Sequence, residues 1–178
     1  TRNAGSYNEE SNKVKVSVNT SSLDNKTRLS PLYGKSAVEV YVHELKHAAI
    51  SYALKMANQF GASKTIQELL NLQMAAMEHL DWTIFMPDNV PTELQQENEE
   101  QAKKLWNYIF NKTKKEQLGG LHEFITYGLT NKAFMAALKD KLAPTKYNKE
   151  GKTFLLDRIV STTLALLDLV FGKNKIEA

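Results

Sequence analysis

The chain of 178 residues contains no cysteine. That absence excludes a thiol nucleophile, a disulfide framework and any zinc site built on thiolates. A metal here would have to be held by histidine and carboxylate. Proline is scarce, at four residues, and long stretches run without a helix breaker. No apolar run reaches the ~20 residues of a membrane span, so no membrane partner is expected. The net charge of +3 is small. No basic cluster is interleaved with aromatics, so nucleic acid is not expected as a partner either.

What is present is ordinary for a globular protein: 42% hydrophobic and 24% charged residues. The length suits a single domain over residues 1–178, with its own core. The first residue is Thr1 rather than Met, which sets the expectation of a piece excised from a larger protein. Residues 1–12 are polar and turn-rich and read as a loose lead-in. Lys13 to Asn19 then alternates, with Val14, Val16 and Val18 on one face, as in a half-buried edge strand. Such a strand can hold an extended peptide by backbone pairing or be purely structural; both readings stand. Thr20 to Tyr33 reads as loop.

The most informative stretch is His43-Glu44-Leu45-Lys46-His47. It matches the HExxH pattern of zinc metallopeptidases, and the spacing has a mechanical reason. Positions i and i+4 of a helix lie one above the other, so two imidazoles aim at one point. Zn²⁺ takes such nitrogens and needs further ligands to complete its shell. Glu44 sits beside the metal and can take a proton from a zinc-activated water. The context predicts the required helix. Ser36 and Glu39 form a capping box, Pro31 and Gly34 mark a turn before it, and nothing breaks a helix from Ala37 to Met56. That helix is apolar nearly all round, which predicts full burial. Two histidines and a glutamate are costly to bury unless paired or bound to metal. The competing reading is a helix whose His and Glu face solvent.

Further helices are expected over Ala62–Leu80 and Thr92–Lys115, then through Phe134, Met135 and Leu138, and finally over Thr153–Phe171. Methionines in the first of these read as core filler, and His79 as a spare histidine without a motif. Trp82 to Met86 reads as a short strand or buried connector. Glutamates at 97, 99 and 100 ahead of Lys103 and Lys104 read as a solvated face. Leu121 to Asn131 is the second informative stretch. A short helix there puts Glu123 and Tyr127 on one face, and offers the carboxylate that an HExxH pair lacks for a His₂Glu site. Asn131 is placed to cap the helix that follows.

With both stretches in view, the chain resembles the zincin-type metallopeptidase domains found inside large bacteriophage proteins. Val42 to Ala49 is similar to their VHELxHA-like helix. Glu123-Phe124, Thr130-Asn131 and Phe134 match a segment of the form EFxxEAFSNxxF. The resemblance spans residues 4–138, and these two motifs carry it. It implies an α+β, predominantly helical fold, with a zincin-like active-site helix and a small sheet near the N-terminus. It also implies a gluzincin-like site, with His43, His47 and Glu123 as Zn²⁺ ligands and Glu44 as general base. The family's second Glu is replaced by Tyr127, and Lys46 puts a charge in a slot that most zincins keep uncharged.

The expected function is therefore a zinc-dependent endopeptidase, a hydrolase acting on a peptide or protein, the parent polypeptide among the candidates. Tyr127 is the first candidate for the oxyanion donor; His122 is the second, and also the best alternative ligand. The alternative is a catalytically inactive zincin-like structural or interaction domain of a larger virion protein. A third reading is an all-helical domain with an accidental HELKH, its histidines splayed apart. Virion and host cytoplasm are the locations these readings suggest.

Overall fold

A computed structural model describes residues 5–8, 10–11, 13–16, 37–110 and 120–172. Near the N-terminus, strands β1 (Gly5–Asn8) and β2 (Lys13–Val16) pair antiparallel, with Gly5 opposite Val16 and Asn8 opposite Lys13. Among the described residues six α-helices follow: α1 (Ala37–Met56), α2 (Ser63–His79), α3 (Gln95–Ile109), α4 (Leu121–Gly128), α5 (Lys132–Lys139) and α6 (Leu155–Leu167). The fold is predominantly helical. The strand partner comes from the lead-in expected to be loose, and among the described residues the two four-residue strands make a two-stranded ribbon. A ribbon that short is marginal alone, and it packs against α1. The capping box at Ser36, the turn at Pro31 and Gly34, the loop over Thr20–Tyr33, Val18, and the long helix beyond residue 110 lie outside the described residues.

Helix α1 has the expected limits. Its last turn tightens into a 3₁₀ turn, Ala57–Phe60, and the chain reverses at Gly61 with φ +70°. That left-handed conformation suits glycine, and the Ala62 amide donates back to the Ala57 carbonyl at 2.9 Å, closing the helix end. Full burial of α1 is not what the structure has. Val38 is 71% exposed, and Tyr41, Val42, Leu45 and Tyr52 also face solvent. Val40, His43, Glu44, His47, Ile50, Ala53 and Leu54 form the buried side. Apolar side chains on every side of a helix do not bring a second layer with them. Among the described residues, no layer buries the side of α1 that carries Val38, Tyr41, Val42, Leu45 and Tyr52.

Helix α2 buries Ile66, Leu69, Leu72, Ala75 and Ala76 at helical spacing. Met77 packs against the core as expected, but Met74 is exposed. Trp82–Phe85 is neither strand nor buried connector. It is a 3₁₀ turn opened by Asp81, whose side chain accepts from the Thr83 amide. On α3 the Glu99–Lys103 pair forms on the exposed face, as the spacing predicted. Asn131 caps α5, its Oδ1 accepting from the Phe134 amide at 2.9 Å.

The short helix α4 is buried along nearly its whole length. Its anchor is an aromatic cluster. Phe124 lies 5.7 Å from Phe110 and 5.9 Å from Phe134 between ring centroids, and Phe85 closes on Phe134 at 5.5 Å. Eight residues are too few to hold a helix unaided, so this packing sets where α4 sits. Phe124 turned into the cluster leaves the neighbouring Glu123 facing α1. Phe134→Ala is expected to cost about 3–5 kcal/mol. Phe85→Ala, at the half-buried rim, should cost less; urea unfolding of both variants measures the order.

Candidate metal centre

On α1, His43 and His47 stand one turn apart on the buried face, and their Nε2 atoms are 3.1 Å from each other. From α4, Glu123 Oε2 lies 3.2 Å from His47 Nε2. Two ligands of a tetrahedral zinc with bonds of 2.0–2.1 Å are ~3.3 Å apart. Both separations fall close to that value. Glu44 is buried beside His43. Tyr127, also buried, has its ring 5.2 Å from that of His43 and 6.3 Å from that of His47. The structure thus brings together all five residues picked out by the sequence, and the histidines are not splayed. His79 is exposed at the end of α2, outside this group.

Distances near 3 Å also suit hydrogen bonds, so a second observation is needed to separate the two cases. Glu123 Oε2 is buried, yet it accepts no hydrogen bond in spite of its nearness to His47. A desolvated carboxylate oxygen without a donor is costly. A cation held between it and the His47 nitrogen would remove that cost, so the residues fit a divalent metal. The other oxygen, Oε1, is occupied. His122 Nε2 lies 3.1 Å from it, and the Tyr108 hydroxyl also hydrogen-bonds this carboxylate.

A different trio, His47, His122 and Glu123, also offers three ligand atoms within 4.8 Å of one another. His122 meets Oε1, the oxygen that is already paired, and its side chain is a quarter exposed. The expected set of His43, His47 and Glu123 is joined through His47, whose Nε2 lies 3.1 Å from His43 Nε2 and 3.2 Å from Glu123 Oε2.

The electrostatics favour the protonation states that metal binding and proton transfer need. Burial lowers the His47 pKa, the Glu123 charge opposes this, and His122 adds to it, so the imidazole is held neutral. Burial would raise the Glu123 pKa. The hydrogen bond from His122, the charges of His47 and His122, and the Tyr108 hydroxyl outweigh it and hold the carboxylate ionised. Glu44 has only burial and the Glu123 charge acting on it, and its pKa rises to about 7. Burial, helped by the charges of Glu123, Tyr108 and Glu44, pushes Tyr127 well above the usual phenol range, so it stays a hydrogen-bond donor.

Two members of the site carry no role in the sequence. Tyr108 sits on α3 without a motif. Thr130, noted only as a motif position, has its Oγ1 2.9 Å from His43 Nδ1. Lys46, the charge in an unusual slot, reaches the Leu129 carbonyl at 3.4 Å. There it meets the negative end of α4 and helps to tie the two helices together.

Comparison with family models, with curated proteins and with solved structures finds no match to this chain.

Glu44 makes the metal-free protein pH-sensitive. Its pKa in the folded state, about 7, lies above the 4.5 of an unperturbed glutamate. The folded protein therefore binds more protons than the unfolded chain between those values, and stability falls as pH rises through them. Glu44→Gln removes this loss. Metal-free Glu44→Gln is expected to gain stability over the unsubstituted chain from pH 5 to pH 8, by an amount on the order of 1–3 kcal/mol. Chemical denaturation across that range checks it. A difference that stays flat contradicts the assignment.

Proposed function

We propose that the chain is a zinc-dependent endopeptidase of gluzincin-like type, with His43, His47 and Glu123 holding Zn²⁺ and Glu44 as general base. The observation that carries this reading is an unpartnered, buried carboxylate oxygen 3.2 Å from the His47 nitrogen, which itself lies 3.1 Å from the nitrogen of His43 on the same helix. Bound there, zinc would act as a Lewis acid and bring the pKa of water toward ~7.

The chain's own groups divide the remaining work. Glu44, a carboxylate whose pKa stands near neutrality, can accept a proton from an attacking water and pass it to a leaving amine. Tyr127 keeps its proton and can donate to an oxyanion beside His43. His122 holds one oxygen of Glu123, leaving the other as a single ligand atom. The resemblance to metallopeptidase domains of large bacteriophage proteins makes the parent polypeptide a candidate substrate.

One observation favours a second reading. The His122 nitrogen lies close enough to swing into the ligand set. Four protein ligands would close the coordination shell, and the site would then be structural, within a non-enzymatic module of a virion protein.

Zinc titration of the metal-free chain is expected to give one ion per chain, with His47→Ala and Glu123→Ala abolishing binding. Glu44→Gln should keep the zinc while cleavage of a fluorogenic peptide mixture falls by about 10²–10⁴. No zinc bound at micromolar concentrations sinks both readings. Zinc bound without peptidase activity, with four protein ligands by X-ray absorption of the loaded chain, selects the structural one.

A further inference from the structure

The Thr130 hydroxyl links two helices. It lies 2.7 Å from the carbonyl oxygen of Thr126 and 2.9 Å from His43 Nδ1. A hydroxyl carries one proton. Toward the Thr126 carbonyl the geometry is that of a donor, and 2.7 Å is the usual O–H···O length. That carbonyl belongs to the last turn of α4, where carbonyls carry the negative end of the helix dipole and attract a donor strongly. With its proton committed there, Thr130 can only accept from His43. The 2.9 Å separation is the usual N–H···O length.

A neutral imidazole carries a proton on one nitrogen only. If Nδ1 donates to Thr130, Nε2 is left with a bare lone pair, and Nε2 is the atom 3.1 Å from His47 Nε2. We infer that Thr130 is a positioning residue that sets the tautomer and ring orientation of His43, through a relay running from Thr126 O to Thr130 Oγ1 to His43 Nδ1. The relay couples the C-terminal end of α4 to the first histidine of α1. The helix that supplies Glu123 therefore also prepares His43 to receive a cation. Thr130 never touches the cation itself.

The tautomer half of this inference stands on hydrogen bonding alone. The affinity half rests on the zinc site proposed above. Two readouts separate them. Long-range ¹⁵N–¹H spectra of the metal-free chain at about pH 8, where neutral histidine prevails, are expected to show His43 protonated on Nδ1. Thr130→Val, which keeps the shape and removes the hydroxyl, should lose that preference, and Thr130→Ser should restore it. Competition against a chromophoric chelator should show zinc affinity reduced about 10–100-fold in Thr130→Val and near that of the unsubstituted chain in Thr130→Ser. Thr130→Ala replaces the valine variant should that fail to fold.

His43 protonated on Nε2 in the unsubstituted chain overturns the relay outright. So does an unchanged tautomer in a folded Thr130→Val. A tautomer set as expected, but with zinc affinity unmoved by losing the hydroxyl, overturns its role in binding. Absence of zinc binding in every form, with the tautomer as expected, defeats the metal site and leaves the relay intact.

Discussion

A buried carboxylate facing two buried imidazoles across the seam between α1 and α4 is the constraint on which the remaining structure depends. His43, Glu44, His47 and Glu123 are buried beside a largely apolar helical core. Ionisable groups are seldom placed there unless something pairs them. Most of their polar atoms do find partners: Thr130 for His43, and His122 and Tyr108 for Glu123. One carboxylate oxygen does not. That open oxygen, 3.2 Å from the buried His47 nitrogen, is a place where a positive charge would be welcome.

The fold serves this seam from both sides. α1 supplies two histidines at the one spacing that stacks them on a helix face. α4 is fixed from behind by Phe110, Phe124 and Phe134, so that Glu123 is presented by packing rather than by its own flexible chain. At the far end of α4, Lys46 and Thr130 cross back to α1. Aromatic packing, an ion–dipole contact and a hydroxyl relay thus fix the same helix by three different kinds of force.

The sequence made parts of this legible and hid others, for identifiable reasons. The limits of α1 and the pairing of His43 with His47 follow from local periodicity, which one segment contains by itself. Glu123 was singled out because a carboxylate on a second short helix would answer a missing ligand, and it does lie 3.2 Å from His47. Tyr108 could not be found that way, since its meeting with Glu123 depends on how α3 crosses α4. Thr130 is a polar residue at a helix end, and nothing local distinguishes one that caps from one that reaches a histidine 87 positions earlier. The exposed side of α1 was misread because hydrophobicity reports what a surface prefers, not what is available to cover it. The strand partner over Gly5–Asn8 was missed because turn-forming residues hid a four-residue pairing.

The shortness of α4 has a consequence of its own. Glu123 and Tyr127 belong to one eight-residue segment, and Thr130 follows it within two residues. A segment of that size opens as a unit, because its backbone order is borrowed from its neighbours. Glu123, Tyr127 and Thr130 would depart from α1 together in a single fluctuation. The cluster facing α1 is therefore whole or dissolved as one unit, at a rate set by how often one small helix lets go.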